Sequence, residues 1–189
     1  MKKKTIILLT TIILVSALLG SSILTRGHAW GDDFAAYIMQ AKSILGWNME
    51  TFIDSNTFTI TKSSYQIGPV AYPWGFPLML TPVYALTGLS PIALKLPGLI
   101  AYLAFLLIFF LFINRHFSLT ESLLAVSLFA FNPKLLHFLD NILSDIPFLF
   151  LSTLNLLLLD LYTHEKNKKQ RLKKFLDSLK KLSLLNQSI

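Results

Sequence analysis

The sequence predicts an all-α integral membrane protein, with about four transmembrane helices and amphipathic juxtamembrane helices in a long first outer loop. Three observations predict it. Apolar residues make up 53% of the 189 positions, and the mean hydropathy is +0.58. Several apolar stretches approach the roughly twenty residues that cross a hydrocarbon core at about 1.5 Å per residue. The basic residues are gathered in blocks beside those stretches, at Lys2 to Lys4 and from Lys166 to Lys181. Flanks of that kind anchor a protein at an anionic leaflet, so the net charge of +7 is read as a membrane signal and no nucleic-acid partner is expected. Cysteine is absent, so the order of the outer loop must come from packing on the bundle and the bilayer.

The first span covers residues 5–24, which carry no charge and follow three lysines. It is longer than the core of a cleaved signal, and no clean small-x-small site follows it, so it is taken as an anchor with a cytoplasmic N-terminus. Asp32-Asp33 then emerges on the far side and opens a helix. Apolar residues at 34, 37, 38, 41, 44 and 45 mark one face of that helix, which is expected to lie flat at the interface with Gly46 as its stop. Residues 47–66 are rich in Ser, Thr and Asn and read as loop, at most with a short strand. In Tyr72-Pro73-Trp74-Gly75-Phe76-Pro77 the prolines restrict the backbone, and Tyr72 and Trp74 suit the headgroup layer.

The stretch 75–89 is apolar but short, and it contains Pro77 and Pro82. The positive-inside rule decides its role. If it does not span, twelve of the 17 basic residues are cytoplasmic; if it spans, only five are. It is therefore a juxtamembrane helix on the outer surface, and the outer loop is 25–95. The remaining spans are 96–113, 119–138 and 146–162. The third is weakest, with Glu121 near one end and Asn132-Pro133-Lys134 near the other. The membrane domain is then 1–165. Residues 166–189 form a basic amphipathic cytoplasmic tail, with Leu172, Phe175, Leu176, Leu179 and Leu182 on one face, resting on the inner leaflet.

This topology puts Asp32, Asp33, Asp140 and Asp145 on one side of the membrane. Successive helical residues point about 100° apart, so Asp32 and Asp33 cannot both aim at one atom. Both acidic sites also suit a purely structural role, because Asp32 after Gly31 is a good helix cap and Ser144-Asp145-Ile146-Pro147 is a good helix start. Asp140 reads as a solvated loop residue, and Asn155 as a hydrogen-bond partner for a neighbouring helix. His28 and His137 fit no metal-ligand spacing. No P-loop, dinucleotide or zinc motif is present.

In order, the basic N-terminus with its first span, Gly31-Asp32-Asp33-Phe34-Ala35-Ala36-Tyr37, Tyr72-Pro73-Trp74-Gly75-Phe76-Pro77-Leu78 and Leu143-Ser144-Asp145-Ile146-Pro147 resemble the N-terminal part of GT-C type lipid-linked-sugar glycosyltransferases. Protein O-mannosyltransferases and the aminoarabinose transferases of lipid A are the best-known relatives. Those proteins are longer, with further spans and often a C-terminal extracytoplasmic domain, so the chain is expected to correspond to their N-terminal portion. The resemblance implies a multi-pass protein of the cytoplasmic (inner) membrane with an extracytoplasmic active face. It implies a polyprenyl-phosphate-linked sugar as donor, a lipid, glycan or protein as acceptor, and membrane lipids as surroundings. Asp32 is the implied base, Asp33 its alternate, and Asp145 positions the acceptor or tunes the base. Tyr37, Tyr72 and Lys134 are the implied substrate-binding residues, with Arg26 a further outer cation. No cofactor is required by this reading, although a divalent cation is compatible with it. The competing reading is a non-catalytic multi-span subunit or a transporter fragment. Transporters place their ionisable residues near the bilayer midplane, whereas here they cluster at the outer ends of the spans.

Overall fold

A computed structural model describes residues 3–28, 32–64 and 68–186; the side chains of Asp32, Asn167, Lys168 and 171–186 lie outside the description. The described chain is all-helical, with no strand among the described residues. The helices are α1 (Lys3–Ser22), α2 (Asp32–Leu45), α3 (Met49–Lys62), α4 (Gly75–Thr87), α5 (Pro91–Ile113), α6 (Leu119–Ala130), α7 (Pro133–Leu139) and α8 (Asp145–Asn186). Three of them, α1, α5 and the Asp145–Lys166 part of α8, are long and apolar enough to cross a membrane. The pair α6–α7 makes a fourth if taken as one span with a 51° bend. This is the pattern of a multi-pass membrane protein.

The spanning helices share one core, centred on Tyr102, Phe105, Leu106 and Phe110 of α5. The α5 helix packs on α8, α1, α6 and α7. The face α1 turns to the bundle carries Thr5, Leu9, Ser16 and Gly20. A Cβ at Gly20 would stand 2.7 Å from Leu99 Cδ1 and 3.1 Å from Leu139 Cδ1, so glycine there lets α1 approach closely.

Asn132-Pro133 explains the bend. Pro133 has no N–H to continue the ladder, and the Asn132 side chain accepts from the N–H of Lys134 and Leu135, starting a new helix. The carbonyls this frees at the end of α6 need donors inside the apolar layer. Tyr102 supplies one: its buried hydroxyl donates to Ala130 O at 2.6 Å and lies 3.3 Å from Phe129 O. At the other end of α6, Glu121 completes a capping box with Ser118, which accounts for a carboxylate at the edge of this span.

Two polar clusters mark the bundle's ends. At one, Asp160 of α8 pairs with Arg115 and lies 3.3 Å from His116 Nε2, just after α5. At the other, the start of α5 meets the segment after α1 and the turn between α7 and α8. The distribution of basic residues leads to the expectation that the first is the inner end and the second the outer end.

Outside the bundle, α2 and α4 pack together around Tyr37, Ile38, Ala41, Phe76 and Leu80, and α4 also rests on α5. At 13 residues α4 is about 20 Å long, too short to span. Four expectations need correction. The polar stretch after Trp47 is a helix, not loop or strand: α3 docks on α2, buries Phe52 against Trp74, and its Thr59 and Thr61 hydroxyls bond back to the carbonyls of Ser55 and Thr57. Tertiary contact overrides the weak helix propensity of Thr, Ser and Asn. The second span starts at Pro91 rather than 96, because proline at the first helical position is pre-organised there, so Lys95 lies inside the helix. Asn155 is exposed on α8, with no hydrogen bond to the described residues, so it is not an interhelical partner. Asp140 is not a solvated loop residue, as described below. The basic tail continues α8 as helix to Asn186; the face read from its leucines and Phe175 lies outside the described side chains.

Candidate functional site

The end of the bundle where α5 begins is held together by a buried cation. Lys95 has a fully buried side chain, and an ammonium has three protons to donate. It donates to Thr25 O at 2.9 Å, Gly27 O at 2.7 Å and Asp140 Oδ1 at 2.7 Å. Asp140 also accepts from the Thr25 backbone N–H at 2.7 Å and from the Thr25 hydroxyl at 2.9 Å. Partial desolvation pushes the Asp140 carboxyl up. The hydrogen bonds from Lys95 and Thr25 and the Lys95 charge outweigh this and hold it below its ordinary range. The cluster is a latch that ties the exits of α1 and α7 to the entry of α5. A second tie runs beside it, where Ile142 donates its backbone N–H to His28 Nε2 at 3.1 Å. The His28 ring meets Phe34 of α2 edge-on at 5.3 Å.

On this platform α2 and the start of α8 come together. The hydroxyls of Tyr37 and Ser144 are 2.9 Å apart. Ser144 immediately precedes Asp145, the first residue of α8, and Asp33 lies one turn before Tyr37 on the same side of α2. The two helix starts that carry the acidic motifs, those of α2 and α8, therefore meet through Tyr37 and Ser144. Asp33 is half-buried and Asp145 exposed. Asp32 begins α2 as expected, but its side chain, like Gly31 before it, lies outside the described residues.

The Pro-rich segment is fixed from below. Gln40, fully buried on α2, accepts from the Tyr72 N–H at 3.0 Å and donates to the Tyr72 carbonyl at 2.9 Å. That clamp sets the Tyr72 ring against Tyr37, 5.1 Å away, and Tyr37 also meets Phe76 edge-on at 5.1 Å. From this meeting point a groove of about 480 Å³ runs between α4 and α8. Tyr37 and Ser144 stand at its polar end, while Phe76, Met79, Phe148 and Leu151 make its apolar walls.

Tyr37 and Tyr72 stand together. Lys134 does not join them: it lies over the Phe138 ring of its own helix at 5.0 Å, and α7 packs on α8, α1 and α5. Arg26 is exposed beside the latch. Among the described residues no three His, Asp or Glu side chains converge as metal ligands.

Comparison with known proteins finds no matching family model, no similar curated protein and no similar solved structure.

Sequence reasoning missed Gln40, Lys95, Thr25 and the role of Ser144. Two of these had a signal. Gln40 falls within the apolar arc made by positions 37, 41 and 44, where a polar residue needs a buried partner. Lys95 interrupts the apolar run that starts at Pro91, and a charge there calls for a counter-charge.

Proposed function

We propose that this protein is a lipid-linked-sugar transferase, taking a sugar from a polyprenyl phosphate and passing it to an acceptor at the extracytoplasmic side of the cytoplasmic membrane. The observation that carries the proposal is the 2.9 Å Tyr37–Ser144 contact, which joins the helices bearing the two acidic motifs at the polar end of an apolar groove. A polyprenyl phosphate has the matching form, with a long apolar chain for the groove between α4 and α8 and an anionic, sugar-bearing head for the mouth.

In this reaction the acceptor hydroxyl attacks the anomeric carbon, the bond from that carbon to the phosphate oxygen breaks, and the lipid phosphate leaves. A carboxylate within about 3 Å of the hydroxyl takes its proton. Asp32 is assigned that role, with Asp33 as alternate, and Asp145 orients the acceptor across the mouth. Tyr37 and Tyr72 present an aromatic wall to the sugar. The buried Lys95 has all three protons engaged, so its role is to hold the platform rather than to receive the leaving phosphate.

The test is transfer of radiolabelled sugar from polyprenyl phosphate in membranes containing the protein. Replacing Asp32 with Asn is expected to lower the rate by about 10²–10⁴, the usual contribution of a general base, while insertion in the membrane persists. Normal transfer by both Asp32→Asn and Asp33→Asn would remove the assigned base. Saturable photolabelling of Met79 or Leu151 peptides by a benzophenone-tagged polyprenyl phosphate checks the groove. Labelling that excess polyprenyl phosphate does not displace would count against it and favour a non-catalytic subunit.

A further inference from the structure

The α2–α3 corner carries an unusual residue. Helix α2 ends in a paired reverse bond, Asn48 N–H to Ser43 O at 3.0 Å and Trp47 N–H to Ile44 O at 3.2 Å. That motif needs a left-handed residue just past the helix, normally glycine. Here it is Trp47, with φ of 53°, although Gly46 is its neighbour; among the described residues no other non-glycine has positive φ. A bulky side chain in this region is a strained choice. Trp47 is 89% exposed, with Leu45 and Met49 exposed on either side of it. In water the corner would combine backbone strain with a large solvated apolar ring.

The surroundings say what covers it. Ile44, Met49, Trp74, Gly75 and Leu78 line an apolar hollow beside the corner. Gly75 also lines the groove whose far wall is Phe148 and Leu151. Those two are exposed on the apolar part of a spanning helix, the surface that meets lipid. Apolar surface is therefore continuous from the lipid-facing side of α8, across α4, to Trp47. Lys42, exposed in the last turn of α2, places a cation beside the corner.

We propose that the α2–α3 corner is a membrane anchor, with Trp47 seated in the headgroup layer of the outer leaflet and Leu45, Met49 and Leu78 beneath it. Trp is suited to that layer, with an apolar body and one N–H for the polar side. The anchor draws the outer helices onto the bilayer and holds the groove mouth at the lipid boundary. This inference rests on the spanning architecture and not on the transferase reading, so either stands if the other fails.

The chain has no cysteine, so a single W47C variant of the full protein can carry a nitroxide in phosphatidylcholine–phosphatidylglycerol vesicles. Collision with oxygen, which partitions into lipid, is expected to exceed collision with a water-soluble nickel chelate. The ratio should be reversed for D54C on the polar face of α3. A protein with Trp47 as its sole tryptophan (W30F and W74F) gives a second reading with residue 47 itself unchanged and an aromatic ring kept at 74. Its emission should be quenched more by lipids brominated near the headgroup than by those brominated near the chain ends. Equal nickel accessibility at positions 47 and 54, or quenching by aqueous acrylamide alone, would overturn the proposal. So would protection that disappears on dilution of protein in lipid, which would mean a second copy of the chain covers the corner.

Discussion

Replacing Asp140 with Asn should be among the most damaging single changes outside the spans. The Lys95 side chain has no solvent access, whereas Asp140 keeps 28% of its own. Removing the carboxylate leaves a buried ammonium with two carbonyls and no counter-charge. Breaking a buried pair on one side costs about 3–5 kcal/mol. The partial exposure of Asp140 lets water reach the site and reduces this to about 2–3 kcal/mol. For a chain of this size that corresponds to a fall in Tm of about 4–12 °C. Lys95→Met should cost less, about 1–2 kcal/mol. It removes the buried charge altogether, strands the Thr25 and Gly27 carbonyls, and leaves Asp140 its bonds to Thr25. The double variant should recover part of the loss of Asp140→Asn, because no unpaired charge remains. Thermal unfolding of the four proteins in one detergent, followed by intrinsic fluorescence, measures all of these. If Asp140→Asn unfolds with the wild type, or if adding Lys95→Met makes it worse, the pair is not the latch described.

The same latch gives a pH dependence. The folded Asp140 carboxyl lies below its unfolded value of 3.8, so its contribution is complete above that value and is lost as pH falls through the folded one. Wild type should therefore lose more Tm below about pH 4 than Asp140→Asn does. Gln40→Leu should cost about 2–3 kcal/mol, because both backbone groups of Tyr72 lose their partners; limited proteolysis should then cut the segment around Tyr72 sooner than in wild type. Tyr102→Phe should cost about 1–3 kcal/mol by orphaning the Ala130 carbonyl at the α6–α7 break, and hydrogen exchange at 131–135 should rise. Unchanged exchange there would mean that the break is satisfied in another way.

The spanning helices were legible because their signal is one of composition: long apolar runs with charges at their ends. The start of α2 at Asp32 was legible from apolar periodicity, and α4 as a short helix from the length of its apolar stretch. Helix α3 was not, because Thr, Ser and Asn favour loops unless packing decides otherwise, and the packing comes from α2 and Trp74, distant in sequence or on another element. Pro91 set the true start of α5, yet the eye follows the apolar run beyond Lys95. Asp140 read as loop because its partners stand 45 and 115 residues away. The acidic motifs were visible one by one, but their meeting depends on Tyr37 and Ser144, 107 residues apart, a relation no local pattern carries.

Sidedness is the central claim, and cysteine labelling tests it directly. Single D33C, D145C and K166C variants, expressed in right-side-out membrane vesicles, are treated with a membrane-impermeant maleimide before and after permeabilisation. The account predicts labelling of positions 33 and 145 in sealed vesicles, and of 166 only once the membrane is opened. Labelling of 33 and 145 from opposite faces would contradict it, because the acidic mouth and its groove would then have no common side from which a lipid-borne sugar could enter.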